Sequence, residues 1–252
     1  MSYPEDEFKP KAPKSSKSRS RKHFPFFQLP TELRLRIYEM LLISPDRVLN
    51  LDPTNFRLVL PRLPCFLVSR RMHEEAYRTF YGEHVVGMFP EPGRFFDKKP
   101  LLTRLGPRNR GAITTLELRL GPGWTKPARY QNTEKSLGLQ DCVSLRVLKI
   151  LVQIDPGDDI FHGFRGKGND KNTYNLYCVK LLNGILEQVP SLKTIELDAW
   201  AGVDKGSPLI FALANEVQKA GKRLVWGPLR GWNEKEDCGR IGLESALAGL
   251  RL

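Results

Sequence analysis

No apolar run in this sequence approaches the roughly 20 residues that span a bilayer, so no membrane helix is expected. Cysteine is scarce: Cys65, Cys142, Cys178 and Cys238 are the four in 252 residues, and no two form a C-x-x-C pair. A chain of this length can build a core without disulfide staples, and its start does not read as a secretory leader. Reduced thiols in the nucleus or cytoplasm are therefore expected. Catalytic signatures are missing as well. There is no G-x-S-x-G elbow, no H-E-x-x-H pair and no cysteine with an evident His and Asn to complete a triad. These gaps argue against an enzyme, and no cofactor is expected.

Positive charge and apolar residues are both plentiful. Forty Lys and Arg against 28 Asp and Glu give a net charge of +12, and 40% of residues are hydrophobic, enough for a sizeable core. Such a balance favours acidic partners and says nothing about fold. Much of the charge lies in Met1–His23, where Glu5-Asp6-Glu7 gives way to Lys9 and Lys11 and then to Lys14, Lys17, Arg19, Arg21 and Lys22, spaced by Pro and Ser. With so little to bury, this tail is expected to be disordered. Lys14, Lys17, Arg19, Arg21 and Lys22 read equally as a nuclear-import patch or as a solubilising tail, and as an arm they could hold the phosphates of a nucleic acid.

The folded part is expected to start at Phe24. Pro30 suits a first helical turn, Glu32 sits where the helix dipole favours negative charge, and Leu29, Leu33, Ile37 and Leu41 recur every four residues. Arg34, Arg36 and Glu39 fall off that stripe, with Glu32 and Arg36 expected to pair on the wet side. The helix is expected to stop at Ser44-Pro45. Val48–Leu51 and Phe56–Leu60 flank Asp52-Pro53-Thr54-Asn55 and read as a β-hairpin. A second helix is expected from about Cys65 to Phe80, with Val68, Met72, Ala76 and Phe80 as its ladder, and His84–Phe89 reads as a strand.

Past a Pro-rich loop and a short helix near Phe95–Leu105, a template repeats. Ile113-x-x-Leu116-x-Leu118, Leu145-x-x-Leu148-x-Ile150 and Leu192-x-x-Ile195-x-Leu197 share it, and Leu224-x-Trp226 continues its last half. Helical stretches at Leu176–Val189 and Leu209–Ala220 precede the last two. Strands alternating with helices imply a parallel sheet, and the L-x-x-L-x-L form resembles leucine-rich repeats, here with irregular spacing. A short amphipathic helix is expected within Arg240–Leu252.

Several chemical look-alikes fail their own spacing rules. Gly163–Gly168 contains Gly166-Lys167 but lacks the following Ser or Thr of a phosphate loop. Asp155, Asp158 and Asp159 lack calcium-loop spacing and read as turn residues, and no metal site is expected. His73 has no ligand-type partner four residues on. Trp124–Tyr130 interleaves aromatics and cations as a single-strand nucleic-acid binder does, but a loop anchored by Trp124 is the stronger reading.

Leu29-Pro30-x-Glu32-Leu33 with Ile37 and Leu41 resembles the opening helix of the F-box, the module that docks substrate receptors onto the Skp-type adaptor of cullin–RING ubiquitin ligases. The longer Leu-Pro-x-Glu-Leu-Arg-x-x-Ile-Tyr pattern, with Phe66–Ala76 and Phe80-Tyr81-Gly82 downstream, resembles a group of fungal F-box-like proteins. The resemblance implies an α+β chain: a basic tail (1–23), an F-box-like helical subdomain with a β-hairpin insertion (24–89), an irregular leucine-rich-repeat-like α/β sheet (90–226) and a C-terminal segment (227–252). It also implies a non-enzymatic protein-interaction adaptor, with Leu29, Pro30, Leu33, Ile37 and Leu41 as protein-binding residues, a Skp-type adaptor as partner, and an unknown protein substrate held by the sheet. Those five residues read equally as core. The alternative function is a basic nuclear protein that binds nucleic acid through its tail.

Overall fold

A computed structural model describes residues 24–43, 48–50, 53–88, 101–121, 137–164 and 172–232. The tail, Trp124–Tyr130, most of the glycine-rich loop and residues 233–252, with Cys238 and the expected C-terminal helix among them, lie outside the described residues.

The N-terminal part is helical. After a 3-10 turn at Phe26–Gln28, α1 runs Thr31–Leu42, α2 Pro53–Val59, and α3 Arg70–Glu83. Leu60–Leu67 winds as a tight 3-10 helix between α2 and α3. The expected hairpin is therefore not there. Pro53 occupies the first position of α2, where its missing N–H costs nothing, and the supposed second strand is helix. Among the described residues of the expected first strand, Leu49 is the one in a β-bridge. It bridges in parallel to Val86, its N–H donating to the Val85 carbonyl at 2.7 Å while Gly87 N–H donates back at 2.8 Å.

The second helix also starts later than its apolar ladder suggested. Pro61 and Pro64 cannot donate backbone hydrogen bonds, so the chain before Ser69 stays in the tighter form. Ser69 is extended and accepts from Met72 N–H at 3.1 Å, a cap worth about 1 kcal/mol that fixes the start of α3 at Arg70.

The remainder is built on one five-stranded parallel sheet, with strands β1 (Val85–Met88), β2 (Thr115–Leu120), β3 (Val147–Val152), β4 (Thr194–Ala199) and β5 (Arg223–Trp226) lying in chain order. The short helices α4 (Leu101–Arg104) and α5 (Pro107–Ala112) lead into β2, α6 (Thr173–Gln188) links β3 to β4, and α7 (Pro208–Lys219) links β4 to β5. The template positions fall in register. Leu116 pairs with Leu148 and Leu148 with Ile195, and likewise Leu118 with Ile150 and Ile150 with Leu197; all six are buried.

These residues form one core with Cys178, Leu181, Leu182 and Ile185 of α6 and Leu209, Ile210, Leu213 and Val217 of α7. Burial of each large aliphatic chain contributes roughly 1.5–3 kcal/mol. The alternate strand positions carry half-buried polar groups, among them the Glu117–Arg119 and Lys149–Glu196 ion pairs. A smaller cluster of Tyr38, Leu42, Ala76 and Phe80 closes the helical part, and Leu49 and Tyr81 pack against both cores.

Candidate docking surface

The two faces of α1 decide how the helical part can interact. Its inward face is Arg34, Tyr38 and Leu42, spaced four residues apart. Arg34, expected on the wet side, is 3% exposed and grips Glu75 of α3 with both arms of its guanidinium: Nε to Oε2 at 2.9 Å and Nη2 to Oε1 at 2.8 Å. Nη2 also donates to Thr31 Oγ1 at 3.1 Å, and Nη1 donates to the Leu29 carbonyl. The tether reaches back over the start of α1, where the N-cap, Pro30, offers no side-chain acceptor.

Glu75 is the hub. Tyr38 donates its hydroxyl to Oε2 at 3.2 Å, and Arg71 approaches Oε1 at 3.3 Å while lying over the Phe27 ring at 4.9 Å. The Arg34 guanidinium holds the Glu75 carboxyl below the usual carboxylate range, and burial pushes the Tyr38 phenol up. Phe26 stacks edge-on to Tyr38 at 5.6 Å.

With this side facing in, the predicted stripe turns outward. Leu33 is 52% exposed, Leu41 56% and Met40 76%; Pro30 is exposed, and Leu29 and Ile37 are half-buried. The expectation that Leu33, Ile37 and Leu41 form the buried ladder is thus corrected: the helix is turned by about one residue, or about 100°. The reason is the ion pair, because a buried arginine with a bidentate carboxylate is a satisfied inward position. Arg36 pairs with Glu39 at 2.8 Å, not with Glu32. Leu33, Ile37, Met40 and Leu41 follow the i, i+4, i+7, i+8 spacing by which a helix inserts into a partner's groove. Leu58, Leu60, Leu67 and Val68, on the segment after α1, are also exposed. Met40 was missed as a surface anchor; only its spacing from Leu33 signalled it.

Other candidates separate. Asp155 is buried, and its two oxygens accept from Gly157 N–H at 2.8 Å and Leu209 N–H at 3.0 Å, tying the turn after β3 to the start of α7. His162 is exposed on a 3-10 turn at Asp159–Phe164. A cleft of about 680 Å³ beyond β3 and β4 is lined by Asp158, Asp159, Asn172, Lys205 and Ser207 among others. It gathers neither His162 nor Asp155. Among the described residues no three His, Cys, Asp or Glu side chains could hold one metal ion, and no helix is long and apolar enough to cross a membrane. Cys65, Cys142 and Cys178 are free thiols, with burial pushing Cys142 up to about 11. His73 is exposed, its Nδ1 lying 3.2 Å from the Phe66 carbonyl oxygen. No family model and no curated protein matches the chain.

Proposed function

We propose that this protein is a non-enzymatic F-box-like adaptor whose outer α1 face docks a Skp-type adaptor, while the repeat-like parallel sheet holds a protein substrate. One observation carries the reading: Leu33, Met40 and Leu41 stand open to solvent while the helical core closes without them around Tyr38, Leu42, Ala76 and Phe80. Apolar residues that the fold does not need, at groove-insertion spacing, are what a docking helix requires. The Leu29-Pro30-x-Glu32-Leu33 opening supplies the identity of the partner. The leucine-rich-repeat-like order of the strands suits a substrate-holding surface.

The test is capture of the full-length protein on a purified Skp-type adaptor. Wild type should be retained, and Leu33→Glu with Leu41→Glu should be lost while keeping the wild-type melting temperature. Failure of the folded wild type to bind, or undiminished binding of that double variant, would overturn the proposal.

A further inference from the structure

Sulfur is sparse in this chain, and among the described residues one sulfur-bearing side chain stands largely in water. Of the four methionines, Met88 in β1 is 2% exposed and Met72 packs half-buried against the helical core, whereas Met40 on α1 is 76% exposed. Met1 lies outside the described residues. The described thiols are poorer targets for an oxidant. Cys142 and Cys178 are buried and Cys65 is half-buried, and burial raises the pKa of Cys65 and Cys142, which keeps both as the slow-reacting thiol.

Met40 also occupies the middle of the outward α1 face. It lies two positions from each of the buried residues Tyr38 and Leu42, about 200° around the helix from either, so it points away from the helical core. Leu33, seven positions earlier, lies about 20° from it on the same face. Ile37 and Leu41 flank it on one side and Arg36, paired with Glu39, on the other. The centre of a docking face is where a partner excludes water most fully. An unbranched thioether suits that place because it is apolar and adapts its shape to a groove. Its sulfoxide does not, since the added oxygen is a polar acceptor that an apolar groove leaves unpaired.

We propose that Met40 is a modification site at which a peroxide oxidant switches α1 docking off. The Met40 sulfur attacks one peroxide oxygen as the O–O bond breaks. An S–O bond forms, the sulfur gives up two electrons, and the displaced hydroxide takes the proton of the transferred hydroxyl and leaves as water. Methionine sulfoxide reductases return the thioether at the expense of a dithiol, so the switch is reversible. Because the helical core closes without Met40, oxidation leaves the fold intact. This switch rests on the adaptor-docking reading of α1 and adds its regulation.

The test treats the full-length protein with hydrogen peroxide, removes the oxidant, maps the product by peptide mass and measures its affinity for a purified, untreated Skp-type adaptor. Met40 should gain one oxygen ahead of Met72 and Met88, with the melting temperature unchanged. Affinity should fall about tenfold or more, the loss that one unpaired polar atom in an apolar contact produces. Methionine sulfoxide reductases of both epimer specificities, supplied with dithiothreitol, should restore it. Met40→Gln, a polar stand-in for the sulfoxide, should bind as weakly as treated wild type. Peroxide should leave the affinity of Met40→Leu where it stood before treatment. Undiminished binding of wild type carrying Met40 sulfoxide, an equal peroxide effect on Met40→Leu, or oxidation of Met72 or Met88 ahead of Met40 would each overturn the switch and leave docking standing. No binding by untreated wild type would instead refute docking, and the switch with it.

Discussion

Leu41 and Leu42 are chemically identical neighbours on α1, and truncating each should give opposite results. Leu42 is 1% exposed and packs with Tyr38, Ala76 and Phe80. Leu42→Ala removes its transfer free energy and leaves a cavity between α1 and α3, a loss of about 2–5 kcal/mol. Leu41 is 56% exposed, so it retains less than half of the roughly 1.5–3 kcal/mol that full burial contributes. Alanine also has the better helix propensity by a few tenths, which offsets part of that loss. Leu41→Ala should therefore cost less than about 1 kcal/mol. Urea unfolding should show a clearly lower midpoint for Leu42→Ala and a near wild-type midpoint for Leu41→Ala, with unchanged slopes. At about 2–4 °C per kcal/mol, the two melting temperatures should differ by several degrees. Equal destabilisation by the two substitutions, or a larger effect of Leu41→Ala, would refute the assigned phase of α1 and with it the docking face.

Glu75 is held below its unfolded pKa of about 4.3, so it contributes stability above that pH and loses it as pH falls through the folded value. Acid titration should therefore show wild type losing stability below about pH 4.3 through this carboxylate; Glu75→Gln should be less stable at neutral pH and flatter in acid. His84 is buried, its Nδ1 2.8 Å from the Phe80 carbonyl oxygen, and burial lowers its pKa. Its contribution is present above the unfolded value of about 6.5 and declines as pH falls from there, so melting temperature should drop between about pH 7 and 5 and do so less in His84→Gln. Gly227 leaves no room for a side chain: a Cβ there would lie 2.5 Å from Asp198 Cβ. Gly227→Ala should displace the carboxylate that accepts from Ala199, Leu229 and Arg230, a destabilisation of about 1–3 kcal/mol measurable by thermal unfolding.

The sheet was legible because its information is local. Each strand carries alternate apolar residues over a few positions, and the template places Leu116, Leu148 and Ile195 at equivalent points that the register then aligns. Parallel direction followed from the helical stretches between strands, which became α6 and α7 within a few residues of expectation. The segment between α1 and α3 was less legible. Val48–Leu51 and Phe56–Leu60 have β-prone composition, but a hairpin needs two strands that prefer each other, and Leu49 finds the edge of β1 instead.

The phase of α1 shows why counting apolar residues misplaces a face. Leu29, Leu33, Ile37 and Leu41 outnumber any other stripe on the helix, and burying them would leave Arg34 in water at no cost. The competing phase buries Tyr38 and Leu42 and must also bury Arg34, which is unfavourable unless a carboxylate meets it. Glu75 meets it from 41 positions away, a pairing no local pattern reports. With that partner in place the aromatic ring of Tyr38 packs against Phe26 and its hydroxyl reaches the same carboxylate, so one acid satisfies two inward polar groups. The leucines are then surplus to the core. A fold that keeps them outside therefore has a use for them there, or bears an exposed apolar face for nothing, and the adaptor-capture experiment decides between those two outcomes.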